Sequence, residues 1–480
     1  MKIYDLELIE PRLLKKSSSV REGFESLNGK FGMVLCVLDD NDIFCGLASD
    51  GDLRHHLLKG GSLDDSLHQV MNKEPVVLSR GNLGKRENYS FIQKKFESKG
   101  IDMDALAKVI TIPVLDKSKR VLGLVTTEML DSLSLGKEVS QDRNRLQSRP
   151  HILLIGGAGF IGSVLAERLL ERDWRVRVLD NLIYDQDSLS SFLSNSRFSF
   201  IHGDVCNLHT QVEAIKGVDC VVFLAEIVGD PSCEYLPQTA LKTNYLAVNS
   251  MATLCAHTNV NRFVYTSSCS VYGASTNPEK LLDEHSALNP VSHYARMKIH
   301  SEQALFNQLN PMFSPTILRL ATVYGHSHRP RFDLVVNTFA RNAFFDKTLT
   351  VNGGDQWRPN VHVKDVARAI TTVIEAPIKE VQKKIFNVGG NRENHTIKSL
   401  AELTKTIFPQ CRVSCKKSDE DLRNYRVSFD RIRNILDFEP EYSVSDGLKE
   451  LKSVFESDLI TEINDPKYSN IASIMEKELK

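Results

Sequence analysis

From about residue 150 onward, the sequence predicts an α/β fold built on a doubly wound parallel sheet. Short apolar runs alternate there with helical stretches, and the first of these, residues 160–172, has clear helical periodicity. Strands that alternate with helices in this way are typical of a parallel sheet with helices on both faces. The predicted strands cover residues 151–155, 175–180, 198–204, 218–225, 262–268 and 316–321.

Composition excludes several classes of protein. The 480 residues suggest more than one domain. A net charge of −1 gives no sign of a basic surface that would bind nucleic acid or an anionic membrane. No stretch approaches 18 apolar residues, and Met1 to Leu14 carries charges throughout, so neither a transmembrane helix nor a signal peptide is expected. The nine scattered cysteines, including Cys411 and Cys415, favour reduced thiols in a cytoplasmic protein without a metal site.

Residues 1–135 differ from the rest and are predicted to form a separate α+β module. Met33 to Asp52 and Val109 to Met129 both read as strand, polar turn, strand and then Gly-Leu-x-Ser/Thr opening a helix. This self-similarity predicts an internal duplication. The polar stretch 136–149 is predicted to be a linker, 150–458 the domain with the parallel sheet, and 459–480 a C-terminal tail.

A glycine-rich loop follows the first strand of the larger domain. Gly156, Gly159 and Gly162 are spaced as G-x-x-G-x-x-G at the junction of strand and helix. They would allow a tight turn, close approach of a pyrophosphate and close packing of helix on strand, with the pyrophosphate on free N–H groups at the helix N-terminus. Asp180 ends the second strand, where a carboxylate would accept hydrogen bonds from a ribose 2′-OH and repel a 2′-phosphate, and Asp204 ends the third, where it would bond the adenine. The pattern predicts a Rossmann-type site for NAD rather than NADP.

Tyr294 and Lys298 lie four residues apart in a predicted helix that opens near Asn289 and Pro290. Residues at this spacing share a helix face, and a lysine ammonium beside a phenol lowers the tyrosine pKa. Such a tyrosine takes a proton from a substrate hydroxyl, while the carbinol hydride passes to the nicotinamide. Ser268, at the end of the fifth strand, would bond the same substrate oxygen.

The segment from about 151 to 455 resembles the extended short-chain dehydrogenase/reductase family in its nucleotide-sugar epimerase/dehydratase branch. The matching pieces are GGAGFIG (156–162), VLDNL (178–182), FLA (223–225), YTSSCSVYG (265–273), YARMK (294–298), LRLATVYG (318–325) and QWRPNVHVKDVARAI (356–370). The resemblance implies a smaller C-terminal substrate-binding part and catalytic roles for Ser268, Tyr294 and Lys298. It also exposes a departure, because Glu226 stands where the family usually has alanine, near the expected nicotinamide.

The predicted sites follow from these motifs and the resemblance. The cofactor-binding residues are predicted to be Gly156, Gly159, Phe160, Ile161, Gly162, Asp180, Asn181, Asp204, Val205, Leu224, Ala225, Asn244, Tyr294 and Lys298. Arg331 and Arg358 are candidates for the diphosphate of the nucleotide sugar, because guanidinium suits phosphate oxygens. A substrate-domain helix is expected over 332–345, with its start facing the base. The predicted substrate-binding residues are Glu226, Ser268, Cys269, Ser270, Arg331, Val336, Asn337 and Arg358.

The residues after Ser268 bear on the reaction. Dehydratases of this branch carry an Asp-Glu pair there and decarboxylases a glutamate, whereas this chain has Cys269 and Ser270. The sequence therefore favours an NAD-dependent epimerase that forms a transient keto-sugar. A reductase or dehydratase of the same family remains an alternative, as does, in a different class, a non-catalytic protein that senses NAD or nucleotides.

The N-terminal module resembles a tandem cystathionine-β-synthase-type (CBS) domain pair. The resemblance implies an adenine nucleotide held by Ser49 and Asp52 of the first copy, with Met129 in place of the carboxylate in the second. Two roles stay open for the module, regulation by a nucleotide and structural support of a homodimer or higher homo-oligomer.

Overall fold

The computed structural model divides the chain into two compact units, Met1–Arg143 and Asn144–Lys480. It describes residues 12–27, 34–79, 111–126, 149–184, 187–258, 260–275, 280–308, 310, 313–416, 423–457, 459–460 and 462–478. The greater part of the predicted linker 136–149 and Met129 lie outside the described residues. No described helix combines the length and the apolar character that crossing a membrane requires.

The first unit contains two small sheets of the same design. In each, a strand pairs parallel with the first strand of an antiparallel hairpin, giving the orders β1-β2-β3 and β4-β5-β6. The strands are β1 (Arg12–Lys15), β2 (Val34–Leu38), β3 (Phe44–Ser49), β4 (Leu78–Ser79), β5 (Thr111–Leu115) and β6 (Val121–Thr126), and the helices are α1 (Val20–Leu27), α2 (Asp50–Leu58) and α3 (Leu67–Val70).

The two hairpins match residue by residue. One oxygen of the first aspartate of each turn, Asp39 or Asp116, accepts two backbone N–H groups at 2.8–2.9 Å. Each turn ends in a left-handed residue, Asp42 with φ 62° or Lys119 with φ 59°, and the strand register shifts at the equivalent place in both. An aspartate that binds its own turn in this way fixes the turn geometry. The predicted duplication of the hairpin is confirmed.

Ser49 and Asp52 cap helix α2. The Ser49 hydroxyl accepts the N–H of Asp52 at 3.2 Å, and one Asp52 oxygen accepts both the N–H and the hydroxyl of Ser49, at 2.8 and 2.6 Å. This reciprocal capping box satisfies N–H groups that have no partner within the helix. In this structure the two residues thus have a local structural role, and their predicted contact with a nucleotide stays a prediction.

Replacing Ser49 by alanine tests the capping role. We expect α2 to lose about 1 kcal/mol of stability, because its first turn loses a hydrogen-bond acceptor. Amide hydrogen exchange over residues 50–58 measures this directly. Unchanged protection of these amides would contradict the assignment.

The second unit is organised by a seven-stranded, fully parallel sheet in the order β17-β13-β11-β10-β7-β8-β9. Strand order reverses beside β7, and in doubly wound sheets the crevice at such a reversal binds the ligand. The predicted fold is confirmed. Its strands are β7 (His151–Ile155), β8 (Arg175–Asp180), β9 (Phe198–His202), β10 (Cys220–Phe223), β11 (Arg262–Ser268), β13 (Ser314–Leu320) and β17 (Lys384–Val388).

Helices cover this sheet, and its strands are almost wholly apolar where they are buried. Ile152 to Ile155 and Val221 to Phe223 have no exposed surface, because parallel strands with helices on both faces must be apolar on both. The helices of this half are α4 (Phe160–Glu171), α5 (Leu208–Ile215), α6 (Asp230–Tyr235), α7 (Pro237–Leu241), α8 (Ala247–His257) and α9 (His293–Phe306).

A smaller C-terminal part carries three short sheets and its own apolar core, in which Phe332 packs near Phe455 and Tyr468. The remaining strands of the unit are β12 (Leu281–Leu282), β14 (Thr322–Tyr324), β15 (Thr348–Asn352), β16 (Trp357–His362), β18 (Asn394–Thr396), β19 (Arg412–Lys416) and β20 (Arg426–Val427); the remaining helices are α10 (Val335–Arg341), α11 (Val363–Glu375), α12 (Ile378–Val381), α13 (Ile397–Ile407), α14 (Asp430–Leu436), α15 (Val444–Glu456) and α16 (Asn470–Glu478). Helix α11 follows β16 directly, packs on α4 and contributes Val366 and Ile370 to the core of the large sheet, so the two parts of the unit are joined.

Two predicted helices begin later than expected. Helix α9 starts at His293, where the Ser292 side chain accepts an N–H of the first turn. The helix expected over 332–345 starts at Val335, because Asp333 is used in pairing with Arg331, and it continues into a π-helical turn over Asn342–Asp346.

The C-terminal residues 466–478 form a 3₁₀ turn followed by α16, and both pack on the second unit. The carbonyl of Tyr468 accepts the N–H of Phe332, the N–H of Asn470 binds Asp333, and Ile474 is buried beside Ile227. These residues, which we call the C-terminal segment, therefore belong to the folded unit. No motif or apolar pattern in these residues predicted this contact.

Candidate functional site

The glycine loop makes a tight junction between β7, α4 and the end of β10. Gly156 has φ 82°, and a Cβ there would lie 2.5 Å from the backbone nitrogen of Ala225. A Cβ on Gly162 would lie 2.5 Å from the carbonyl oxygen of Gly156. Both glycines are therefore required by the protein's own packing, as predicted.

Gly159 is different, because neither backbone nor packing requires a glycine there. Its φ of −79° and ψ of −178° suit any residue, and a Cβ would meet only the Gly156 carbonyl, at an ordinary 3.4 Å. Gly159 is the N-cap of α4 and supplies no side-chain cap, so the helix start is open to a bound anion. This open cradle fits the pyrophosphate of a dinucleotide.

Replacing Gly159 by alanine separates these roles. We expect the free energy of unfolding to change by less than about 1 kcal/mol, since the backbone accepts alanine. NAD affinity should fall by roughly tenfold or more, because a methyl group would occupy the cradle. Calorimetric NAD titration and thermal unfolding measure the two effects. Gly162→Ala is the contrasting control, which should lose stability; unchanged NAD affinity in Gly159→Ala would contradict the assignment.

Asp180 holds the loop from the end of β8. Its carboxylate accepts the N–H of Ala158 at 3.0 Å and that of Leu182 at 2.8 Å. Burial raises the pKa of Asp180, against the opposing effect of these two hydrogen bonds. The carboxylate lines the cleft and still has lone pairs for a ribose hydroxyl, so its role in cofactor choice stays a prediction.

One continuous cleft, with a volume of about 1020 Å³, runs from the glycine loop to the smaller C-terminal part. Most of the predicted site residues line it. They are Gly156, Gly159, Phe160, Ile161, Gly162, Asp180, Asn181, Asp204, Val205, Leu224, Ala225, Glu226, Ser268, Ser270, Tyr294, Lys298, Arg331 and Arg358.

Asn244, predicted to bind the cofactor, lies outside the lining of the cleft. Its side chain is 1% exposed and forms two hydrogen bonds with the backbone of Ile227. The amide oxygen accepts the Ile227 N–H at 2.8 Å, and the amide nitrogen donates to the Ile227 carbonyl at 2.9 Å. The predicted contact is corrected to a positioning role. Asn244 fixes the chain directly after Glu226, which itself lines the cleft.

Three predicted substrate contacts are also buried away from the cleft. The Cys269 thiol donates to the carbonyl of Arg319 at 3.3 Å, and burial raises its pKa. Val336 packs in the core of the smaller part, and the Asn337 amide binds both backbone groups of Gly325. Cys269 packs in the core of the large sheet, whereas Val336 and Asn337 face inward because α10 turns this side to the core of the smaller part, and Val335 and Thr338 line the cleft instead.

Tyr294 and Lys298 meet at the cleft as predicted, but Glu226 lies between them. The Lys298 ammonium contacts the Glu226 carboxylate and the carbonyl of Thr266, and the Tyr294 hydroxyl is 3.5 Å from Glu226 Oε2. The side chains of Lys298 and Glu226 are 2% and 4% exposed. This is a buried ion pair in direct contact with the candidate catalytic tyrosine.

The predicted lowering of the Tyr294 pKa is wrong for this arrangement. Burial raises the pKa of Tyr294 well above its usual value, and the Glu226 carboxylate raises it further. Lys298 alone would lower the pKa of Tyr294, but its positive charge is balanced here by Glu226.

Ser268 ends β11 at the cleft and caps the short turn that follows. Its hydroxyl accepts the N–H of Ser270 at 3.1 Å and can donate its own proton to a substrate oxygen. Ser270 presents a hydroxyl without a hydrogen-bond partner among the described residues.

Basic residues line the far end of the cleft. Arg331 pairs with Asp333 at 2.8 Å, and Arg358 donates to the carbonyls of Trp357 and Arg423. A bound diphosphate would meet both guanidinium groups at the cleft wall, although each also has a structural partner.

Sequence reasoning missed Arg329 and the C-terminal segment as parts of the cleft. Arg329 is 2% exposed, donates to Asn470 Oδ1 at 2.6 Å and stacks over the Tyr184 ring at 4.6 Å. Asn470 and Ile471 line the cleft with it. The only sequence signal was the first arginine in HRPR (328–331), two residues before Arg331.

The open glycine loop on a doubly wound sheet, with a serine, a tyrosine and a lysine at the same cleft, defines a dinucleotide-dependent enzyme of the short-chain dehydrogenase type. The model of the NAD dependent epimerase/dehydratase family matches residues 152–389. Over this domain the chain is similar to the NAD-dependent epimerase/dehydratase family, and it is an enzyme with NAD as its cofactor.

Known proteins similar to the chain cover this domain. The uncharacterized UDP-glucose epimerase YtcB of Bacillus subtilis is 28% identical over 311 residues, which are 62% of this chain and 95% of that protein. A dTDP-glucose 4,6-dehydratase of Streptomyces niveus is 27% identical over 312 residues, covering 62% and 90%. The crystal structure of UDP-glucuronic acid 4-epimerase from Bacillus cereus, in complex with UDP-glucuronic acid and NAD, has a TM-score of 0.57 and 26% identity, covering 63% and 99%.

Proposed function

We propose that the protein is an NAD-dependent epimerase that inverts a carbinol carbon of a nucleotide-activated sugar. The observation that carries the proposal is the cleft itself, which joins an NAD cradle to Ser268, Tyr294 and Lys298 and then to Arg331 and Arg358. Hydroxyl and phenol groups suit removal of a proton from a sugar hydroxyl, and guanidinium groups suit a diphosphate. The similarity to a UDP-glucuronic acid 4-epimerase supports this substrate class.

The reaction would proceed through a transient keto-sugar. Tyr294 takes the hydroxyl proton while Ser268 donates a hydrogen bond to the oxygen. When the alcohol re-forms on the other face of the sugar, Tyr294 returns the proton and Ser268 again binds the oxygen. NAD, when bound, accepts the hydride and returns it. Between these two transfers the sugar must turn within the cleft, while the arginines hold its nucleotide end.

Epimerisation is favoured over dehydration because the carboxylates near Ser268, in the described part of the cleft, are all held in ion pairs. Cys269 and Ser270 supply no carboxylate, and the acids that line this end of the cleft are all paired. Glu226 is bound to Lys298, Asp230 to Arg423 and Asp333 to Arg331. Elimination of water needs an acid beside the leaving hydroxyl, and no unpaired carboxylate in the described part of the cleft meets that need.

The test is an NMR assay with UDP-, GDP-, CDP- and dTDP-sugars that carry deuterium at the carbinol carbon. An epimerase should give an inverted sugar that retains the deuterium, with no net change in NADH. A keto-deoxy product would identify a dehydratase, and stoichiometric use of NADH a reductase; either result would reject the proposal.

We also propose that the N-terminal unit regulates the enzyme by binding an adenine nucleotide, and that the protein is a cytoplasmic homodimer or higher homo-oligomer. The duplicated hairpins support a CBS-like arrangement, with Ser49 and Asp52 at the start of α2 as the proposed ligands. Thermal shifts with AMP, ADP and ATP test nucleotide binding, and sedimentation equilibrium tests the assembly. A protein without any thermal shift would leave the unit with a structural role alone.

A further inference from the structure

The Glu226 carboxylate contacts several hydrogen-bond donors at the cleft. Besides Lys298 and Tyr294, its carboxylate accepts the hydroxyl of Tyr265 at 3.0 Å, and the Lys298 ammonium lies 4.8 Å from the Tyr265 ring centroid. Asn244 fixes the next peptide, so both the side chain and the backbone of this position are held. A carboxylate with this many donors is held in one orientation, with Oε2 turned toward the Tyr294 hydroxyl.

The groups around Glu226 come from three elements. Strand β11 supplies Tyr265, α9 supplies Tyr294 and Lys298, and α6 supplies Asp230 and the Cys233 thiol, whose pKa burial raises to about 12. The charges of Asp230 and Arg331 also act on Tyr294, in opposite directions. Lys298 is the only cation in contact with the Glu226 carboxylate among the described residues. Among the groups in direct contact, the charge is therefore set by one carboxylate, one ammonium and one phenol.

Charge balance decides which of the three holds the exchangeable proton. With Glu226 and Lys298 ionised, the set is neutral when Tyr294 is protonated. A phenolate would leave a net negative charge in a buried place, which is costly. When the set takes up one proton at the carboxylate, where burial favours the neutral acid, the Lys298 ammonium is left as its one unbalanced charge. This charge offsets the positive charge that the cofactor loses as the hydride leaves the sugar.

We propose that Glu226 is the proton acceptor behind Tyr294. The proposal rests on the proposed function. As Tyr294 takes the proton of the substrate hydroxyl, its own phenolic proton passes to Glu226 Oε2. The substrate O–H and the Tyr294 O–H bonds break, and new O–H bonds form at Tyr294 and Glu226, while the carbinol hydride goes to NAD. All of these transfers reverse when the hydride returns, so the carboxylate is regenerated within each cycle.

Two consequences distinguish this role from a structural one. Without Glu226, the pKa of Tyr294 should fall by roughly one to three pH units, since a negative neighbour is lost and Lys298 remains. The acid limb of the activity profile should move the opposite way, to higher pH, because the base changes from a carboxyl to a phenol with a higher pKa. Loss of packing alone produces neither shift.

The first measurement follows tyrosine ionisation by near-ultraviolet absorbance of the NAD-bound protein. The chain has 12 tyrosines, so the difference between each protein and its Tyr294→Phe counterpart isolates the Tyr294 step. We expect this step to move to lower pH in Glu226→Ala, which restores the residue usual in the family, and in Glu226→Gln, which keeps the size of the side chain.

Tyr265→Phe is the matched control, because it removes a hydrogen bond to the same carboxylate and leaves its charge. The Tyr294 step should stay in place in this variant. A Tyr294 step at the same pH with and without Glu226, or an equal shift in Tyr265→Phe, would overturn the proposal. This titration needs no substrate, so it gives an answer even if no nucleotide sugar is turned over.

The second measurement is the pH dependence of kcat/KM for any sugar that the NMR assay identifies. Glu226→Ala should lose activity by roughly tenfold or more below the new limb and keep most of it above. A uniform loss at every pH, with the limb unmoved, would assign Glu226 a structural role and reject the relay.

Discussion

Replacing Tyr294 by phenylalanine is expected to lower kcat by a factor on the order of 10² to 10⁴, the usual contribution of a positioned general acid–base group. Phenylalanine keeps the ring that packs near Lys298, whose ammonium lies 5.4 Å from the ring centroid, and removes only the hydroxyl. The loss should appear in kcat at every pH. Single-turnover measurement of NADH formation isolates the step.

Two observations serve as controls for this variant. NAD affinity should stay within about threefold, because the glycine cradle and Asp180 are untouched. Tyr265→Phe, at the same carboxylate but away from the cleft lining, should keep kcat within about tenfold. A Tyr294→Phe enzyme that retains full activity would remove this tyrosine from the mechanism.

Replacing Glu302 by glutamine should destabilise the second unit by about 3–5 kcal/mol, the cost of leaving a buried charge without its partner. Glu302 receives two hydrogen bonds from the Arg319 guanidinium, at 3.0 and 2.7 Å, and one from the Ser267 hydroxyl. The side chains of Arg319 and Glu302 are 3% and 5% exposed. The amide would leave Arg319 charged and buried.

The measurement is denaturant unfolding followed by tryptophan fluorescence. Both tryptophans, Trp174 and Trp357, lie in the second unit, so the signal reports on that unit. Glu375→Gln is the matched control, since its pair with Arg172 is 45% and 37% exposed and should contribute less than about 1 kcal/mol. Equal unfolding midpoints for Glu302→Gln and Glu375→Gln would show that burial does not set the strength of the Glu302–Arg319 ion pair.

The parallel sheet was predictable because buried strands leave a local signal. Runs such as 151–155 and 262–268 contain a short, uninterrupted apolar stretch, 152–155 and 263–265, and the structure has strands at the bounds of both runs. Helix starts were less predictable, because Ser292 and Asp333 decide them through side-chain hydrogen bonds that periodicity does not reveal. The duplicated hairpin was visible because its turn chemistry repeats.

The site was predictable where a motif and an element boundary coincide, as at Gly159 and Tyr294. The site was not predictable where a residue acts through a partner that is distant in the sequence. Asn244 and Arg329 depend on partners 17 and 141 positions away, and neither partner is marked by a motif. The unusual Glu226 could be noticed in the sequence, but its effect on Tyr294 required the geometry.

The C-terminal segment gives the enzyme an order of assembly. Polypeptides emerge from the ribosome N-terminus first, and domains fold as units during synthesis. The glycine loop and β11 are therefore made long before Asn470 and Ile471, which form part of the cleft wall. A chain that ends near residue 460 therefore carries every strand of the parallel sheet, but it lacks the part of the cleft wall that Asn470 and Ile471 form.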